Sequence, residues 1–197
     1  MLQDVWLAID ERRYEQAESL LCSDAEVFPT RAGQMALGYI YAHTARCDEA
    51  RRVFANLREQ HRGDEWEHIA VHQQGRVERL AGRCEDALKF FTEERDLIAD
   101  TADAHKLAVN ALEAAQCHLK LGQYAEARNF LTQSAATAKT NDDPETLARA
   151  ERALGELSVR EGHPAAARVH FERAVVAFEQ AEDEFGVRET QAMLEGV

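Results

Sequence analysis

The chain is predicted to be all-α: one domain over residues 1–197, built as a solenoid of about five helix hairpins and closed by a C-terminal capping helix. Three observations predict this. Alanine recurs at Ala17, Ala50, Ala87, Ala127 and Ala167 with spacings of 33, 37, 40 and 40 residues, each time in the same setting of small, aromatic and glycine residues. A period in that range corresponds to one helical hairpin per repeat, stacked on its neighbours because a lone hairpin cannot bury its apolar face. The composition favours helix, with 3 prolines and 10 glycines in 197 residues and many Ala, Leu, Glu and Arg. The repeat also continues to near the C-terminus with no Pro/Gly/Ser-rich linker to divide it.

Superposing the repeats defines each element. The segments LGYIYAHTARCDEARRVF, QGRVERLAGRCEDALKFF, AAQCHLKLGQYAEARNFL and LGELSVREGHPAAARVHF align without a gap, and ERRYEQAESLL matches their second half. In the first helix of each unit a small residue, Gly38, Gly75, Ala115 or Gly155, is placed to let the partner helix approach. Seven residues on, Ala45, Gly82, Gly122 or Gly162 stands where a left-handed residue closes a helix. Ala50, Ala87, Ala127 or Ala167 then marks a second close contact. Four residues later Phe54, Phe91, Leu131 or Phe171 is expected to fill the space between hairpins.

The resulting helices are 2–11 with 14–23, 30–44 with 48–61, 65–81 with 85–99, 104–121 with 125–139, and 145–161 with 165–182, followed by a capping helix over 186–195. They group into repeats at about 1–25, 30–62, 64–100, 103–140 and 144–183. Gly63 ends one helix, and Asp64 with Glu67 forms a capping pattern for the next. Asp143 before Pro144 places a cap and a proline at the first helical position. Trp66, Ile69 and Leu80, and Leu147, Leu154 and Leu157, recur at helical spacing and are expected to be buried.

Charge and cysteine usage exclude several functions. A net charge of −13 opposes general attraction to phosphate backbones or anionic lipid, so neither nucleic acid nor membrane is an expected partner. No apolar run approaches the roughly 20 residues that span a bilayer, and the N-terminus lacks a basic segment followed by an apolar one. A cytoplasmic location is expected. Cys22, Cys47, Cys84 and Cys117 have no metal-site or redox spacing and read as reduced core thiols. The acidic runs at 93–96 and 182–184 read as solvated helix surface or helix ends.

No catalytic, cofactor or metal site emerges. His68 and His72 are four apart on one helix, a spacing that lets two imidazoles meet one metal. Ile69 follows His68 where a zinc-hydrolase helix has its general-base glutamate, and the bland reading of two surface or groove histidines is favoured. No nucleophile elbow, phosphate loop or dinucleotide fingerprint occurs, so the chain is not expected to be an enzyme.

These offsets resemble the tetratricopeptide repeat family, most closely in LKLGQYAEARNFL, where Gly122, Tyr124, Ala127 and Leu131 fall on the turn, aromatic, alanine and large apolar positions. Glu78, His118 and Ser158 depart from it by standing where an aromatic is common, and the long spacings are similar to kinesin light chain and Rap-type bacterial regulators. The resemblance implies a right-handed superhelix whose first helices line a concave groove for peptides or partner segments. The family's groove offsets fall here on Met35, Tyr39, Ala42 and His43; on His72, Gln73, Arg76 and Arg79; on Leu112, Glu113, Gln116 and Lys120; and on Arg149, Arg152, Glu156 and Arg160. The family's carboxylate clamp needs Lys and Asn at set places in successive repeats; these first helices are read as holding no Lys-x-x-x-Asn match, so binding of a chaperone tail is not expected.

The expected binding set is Tyr39, His43, His72, Gln73, Arg76, Arg79, Gln116, Lys120, Arg149, Arg152 and Arg160. Several guanidiniums in one concavity suit a carboxylate-bearing segment, so the expected partner is an acidic or C-terminal peptide. Against this stands the reading in which the same arginines make exposed ion pairs of little consequence. Met35 and Tyr39 serve either as an apolar subsite or as packing. An adaptor that holds a protein segment is the leading function; a sensor that binds a small peptide or metabolite in the same groove is the alternative. The chain starts almost within a helix and ends in AMLEGV, which suits a piece of a larger regulator or self-association through an open end.

Overall fold

The structure is a computed structural model that describes residues 2–101 and 103–197. Among these residues the regular elements are eleven α-helices and one short 3-10 turn at Ala99–Thr101, with no strand. The helices are α1 (Leu2–Asp10), α2 (Tyr14–Ser23), α3 (Arg31–His43), α4 (Cys47–Gln60), α5 (Glu67–Leu80), α6 (Cys84–Ile98), α7 (Ala104–Lys120), α8 (Tyr124–Thr140), α9 (Pro144–Arg160), α10 (Pro164–Gln180) and α11 (Glu184–Glu195). None of them is long and apolar enough to cross a membrane.

The chain divides into two compact units, Met1–Glu94 and Arg95–Val197. In the N-terminal unit α1 packs on α2 and α3, and α3 on α4 and α5. In the C-terminal unit α7 pairs with α8 and also meets α9, and α9 pairs with α10, against which α11 lies. Within each unit the first helix of a hairpin thus packs on its partner helix and on the first helix of the next hairpin, as α3 does on α4 and α5 and α7 on α8 and α9.

The recurring alanines Ala17, Ala50, Ala87, Ala127 and Ala167 all have no exposed surface. Each small residue of a first helix lies beneath the large apolar residue sixteen positions later. A Cβ added to Gly38 would lie 2.4 Å from the Phe54 ring, one at Gly75 2.6 Å from Phe91, and one at Gly155 2.5 Å from Phe171. The fourth hairpin pairs Ala115 with Leu131 in one cluster, adding a methyl on one side and removing ring volume from the other. These large residues also pack against the next hairpin, Phe54 in one cluster with Ala70 and Val77 of α5 and Leu131 with Leu154 and Leu157 of α9, so they fill space between hairpins as expected.

Hairpin turns close on a left-handed residue: Ala45 (φ +60°), Gly82 (+78°), Gly122 (+71°) and Gly162 (+77°). The following N–H donates to the carbonyl five residues back, as from Arg46 to Tyr41, Gln123 to His118 and His163 to Ser158, at 2.8–2.9 Å. Asp142 (φ +54°) and Glu182 (φ +56°) make the same closure between hairpins, with Asp143 and Asp183 donating to Ala138 and Phe178 at 3.0 Å. Asp143 then caps α9 by accepting from the Thr146 N–H at 3.0 Å, with Pro144 at the first helical position. At α5 the capping acids act earlier than expected. Asp64 accepts from the Trp66 N–H at 2.7 Å and Glu67 from the Gly63 N–H at 2.7 Å, so the helix starts at Glu67 rather than 65.

Several burial expectations change. Leu80 is 37% exposed and Trp66 and Ile69 are half-buried; Ala70, Val71 and Val77 form the buried face of α5 instead. Cys84 and Cys117 are core thiols, but Cys22 is exposed and Cys47 half-buried. Glu94, within the acidic run at 93–96, is 3% exposed because it pairs with His72.

Three stability outcomes are expected. Gly155→Ala should destabilise by about 1–3 kcal/mol through overpacking against Phe171, and adding Phe171→Leu, which copies the Ala115/Leu131 pair, should recover most of it in urea denaturation. Ala45→Gly should stabilise by about 1 kcal/mol, since the closure there holds a Cβ in left-handed backbone where three other hairpins have glycine, and a raised thermal midpoint checks it. Burial opposes ionisation of Asp143, but hydrogen bonds from Thr146 and the His105 contact hold its carboxyl below the usual range. Its stabilisation is therefore present at neutral pH and lost as pH falls below about 4; Asp143→Asn should lower stability at pH 7 and narrow the difference in acid.

Candidate functional site

The site is built on the first helices of the C-terminal unit. Helix α7 presents Gln116, Leu119 and Lys120, and α9 presents Arg149, Arg152, Ala153, Glu156 and Arg160, around one cavity of about 290 Å³. Positions 116 and 120, and 149, 152, 156 and 160, are three or four residues apart, so each set shares one helix face. The pair Gly155–Phe171 and the core residues Leu154 and Leu157 hold the opposite face of α9, and this leaves the arginines no inward direction.

Each guanidinium is fixed by a carboxylate. Arg149 Nη2 lies 3.3 Å from Glu113 of α7, whose side chain is 2% exposed, and Arg149 Nη1 lies 4.0 Å from Glu145. Arg152 Nη1 donates to Glu189 of α11 at 3.2 Å, and its guanidinium carbon lies 5.2 Å from the centre of the Phe178 ring. Arg160 Nη2 is 3.7 Å from Glu156, one turn back on the same helix. A guanidinium has five N–H donors in a planar fork, so one such contact orients it and leaves donors for a second anion. The wall carries Lys120, Arg149, Arg152 and Arg160 with Glu156, while Glu113, Glu145 and Glu189 stand behind the arginines, so cationic groups line the cavity although their charge is balanced by acids around it.

Five of the predicted residues, Gln116, Lys120, Arg149, Arg152 and Arg160, are therefore brought together. Leu112 and Glu113, at groove offsets of the same repeat, are buried at 0% and 1% and lie beneath the surface. Glu113 acts instead as the support of Arg149. Lys106 and Asn110 of α7 do show a Lys-x-x-x-Asn spacing, but Asn110 is 4% exposed and Lys106 lies 3.4 Å from Asp103, so they do not face a ligand together.

In the N-terminal unit Tyr39 and His43 stack with ring centres 4.2 Å apart, and Trp6 meets Tyr39 edge-on at 6.0 Å. Tyr14 also stacks with His43 at 5.7 Å, and Arg76 stands 5.3 Å from the Tyr39 ring centre. Gln73 and Arg79 are half-buried on α5. His72 points elsewhere: its Nδ1 lies 2.9 Å from both oxygens of the buried Glu94 of α6. Among the described residues no group of three or more His, Cys, Asp or Glu is placed to hold a metal ion. Met35 lines a separate apolar pocket of about 330 Å³ together with Trp6, Arg31 and Trp66, which the offset pattern did not select. Trp6 and Arg31 lie outside the repeat's groove offsets, so the period gave no signal for them.

The removal of Arg149 separates support from binding. Arg149→Met should destabilise by about 3 kcal/mol, the order for breaking a buried ion pair, while Arg149→Met with Glu113→Gln should restore much of that in chemical denaturation.

A family model for the tetratricopeptide repeat matches residues 66–140. No curated protein sequence matches the chain. Among solved structures, the apo form of RapI is similar with a TM-score of 0.70 at 14% identity, over 97% of this chain and 54% of that one. BtubC (BKLC) from P. vanneervenii is similar with a TM-score of 0.67 at 14% identity, over 99% and 90%. PilW, a type IV pilus biogenesis factor, gives 0.65 at 16% identity, over 98% and 90%. At these identities the likeness is one of fold.

Proposed function

We propose that this chain, a tetratricopeptide-like repeat protein, is a non-catalytic protein-interaction scaffold whose C-terminal unit holds an acidic segment of a partner polypeptide between α7 and α9. The repeat fold supports protein interaction in general; the acidic segment is inferred from the site. One observation carries it. Four cationic side chains from two successive first helices converge on a single cavity, and three of them are arginines already oriented by fixed carboxylates.

The magnitudes favour this over idle surface pairing. Exposed ion pairs are worth about 0–1 kcal/mol and need no cavity. Here Arg149 and Arg152 are only 29% and 25% exposed, and Arg149 rests on a carboxylate at 2%. Holding such groups at a pocket wall costs desolvation, and a carboxylate ligand with charge-assisted hydrogen bonds of about 1.5–3 kcal/mol each offsets that cost. Oriented donors also reduce the ordering cost of binding. Gln116 supplies a neutral donor and acceptor beside them, and Leu119 and Ala153 an apolar floor. In the N-terminal unit, Tyr39, His43, Gln73, Arg76 and Arg79 are assigned a contact surface of their own, from which His72 is withdrawn by Glu94.

Neutralising Lys120, Arg152 and Arg160 together by Gln should leave the fold intact, because the acids that Arg152 and Arg160 meet, Glu189 and Glu156, are themselves partly exposed. Binding of an acetylated hexaglutamate peptide, read by calorimetry at low salt, should weaken by at least about tenfold. Equal binding by the wild type and the triple variant would remove the assignment.

A further inference from the structure

The outward face of α10 differs from that of α4, α6 and α8, the second helices of the preceding hairpins. In the repeat alignment Val169 stands where those helices carry Arg52, Lys89 and Asn129, and Val176 where they carry Glu59, Asp96 and Ala136. All of these positions are exposed, and the earlier helices hold polar side chains or a single methyl there, as a solvated face requires. Helix α10 instead turns two valines outward, 43% and 53% exposed. Valine is a poorer helix former than lysine or alanine, so the needs of the helix do not account for the exchange. Single apolar residues on a surface are ordinary, but these two lie on one open groove of about 520 Å³ between α10, the end of α8 and the start of α9, with Leu147 and Ala177 in its lining.

The charges on this face decide what covers it. Glu172 and Arg173 lie between the valines, and positions 169, 172, 173 and 176 share one helix face. Among the described residues Glu172 has no cation at ion-pair distance. Arg173, with a side chain 62% exposed, meets Glu151 only at 3.9 Å, and that carboxylate already holds His170 at 2.6 Å. Lys139 of α8 stands at the groove and has no acid at ion-pair distance among the described residues. A surface with available charges of both signs matches neither a purely acidic nor a purely basic partner; it matches itself.

The order of the residues makes that match specific. From either end the face reads valine, two residues, a charged pair, two residues, valine. A two-fold axis between Glu172 and Arg173 sets two α10 helices antiparallel. Val169 of one copy then meets Val176 of the other and Glu172 meets Arg173, each contact forming twice and no like charges facing.

We propose that the outer face of α10 is a homodimer interface, in which two copies of this chain pack α10 antiparallel across a two-fold axis. The face shares no lining residue with the cationic cavity between α7 and α9 and does not depend on the function assigned to that cavity. One helix crossing is a small interface, so the dimer is weak, with a Kd on the order of 100 µM.

Sedimentation equilibrium of the full chain from about 5 µM to about 1 mM, at roughly 0.15 M salt to screen the net charge of −13, should show the mass rising towards that of two chains. Val169→Asn with Val176→Ala copies α8 at these places; it should weaken the dimer at least about tenfold and leave the thermal midpoint at low concentration unchanged. Glu172→Arg alone and Arg173→Glu alone set like charges opposite one another and should each weaken it by about fivefold or more, whereas the two together exchange the partners and should restore it. The mass of a single chain at about 1 mM, a dimer indifferent to the valine double variant, or no recovery in the charge-exchanged chain would each overturn the proposal.

Discussion

The contact between a small residue of a first helix and a large apolar residue sixteen positions later is the constraint on which the rest of the structure depends. A glycine inside a helix costs about 1 kcal/mol relative to alanine, and burying a phenylalanine contributes about 2–3 kcal/mol. The exchange favours Gly38 with Phe54, Gly75 with Phe91 and Gly155 with Phe171, because each ring fills the space the missing Cβ leaves. Ala115 with Leu131 is the intermediate solution at the same register. The contact fixes how close the two helices of a hairpin lie and how each is rotated. Rotation then decides which residues remain for the outer face.

A second layer of specificity comes from acids buried between helices. Glu78 of α5 accepts from Arg51 of α4 at 2.7 Å and also from Arg83, Glu94 of α6 holds His72, and Glu151 of α9 holds His170 of α10 at 2.6 Å. Each joins neighbouring helices through a directional contact that apolar packing lacks. Where an aromatic is common in such repeats, Glu78 and Ser158 are buried with polar partners instead, Ser158 donating to the Leu154 carbonyl at 2.8 Å. A buried ion pair adds little net stability over a well-packed apolar pair, but removing one partner costs several kcal/mol, so such pairs penalise a slipped register.

Much of the fold was legible because its determinants are periodic. The alanine spacing, the small residue and the turn residue each recur, and the structure puts helix starts and stops within a few residues of where that pattern puts them. The left-handed closures at Asp142 and Glu182 were not read, although they are 40 residues apart, because side chains other than glycine give no local signal for positive φ. The cationic cavity of the C-terminal unit was legible for the same reason as the fold: Gln116, Lys120, Arg149, Arg152 and Arg160 follow from offsets within the repeat. His72 was placed with them by offset alone. Its direction is set by Glu94, 22 residues away and within a run that reads as solvated surface. Trp6, Arg31 and Trp66 belong to no common offset, and only three-dimensional packing brings them to one pocket.

The two cavities show how one repeat geometry yields different chemistry. Between α7 and α9, Gln116 and Lys120 meet their repeat equivalents Glu156 and Arg160, whereas Arg149 and Arg152 stand where α7 has Val109 and Leu112, so the pocket is polar partly by offset and partly by what α9 alone carries. Near the first hairpin the helices are shorter, with nine residues in α1 and ten in α2 against seventeen in α9 and α10. Shorter helices cannot cover the start of α3 and the start of α5 fully, so Met35 and Ile69, which continue the core pattern, remain accessible with Trp6 and Trp66. The apolar character of that pocket is a consequence of core surface left uncovered by a truncated repeat. The polar character of the other comes in part from a complete one and in part from the arginines of α9.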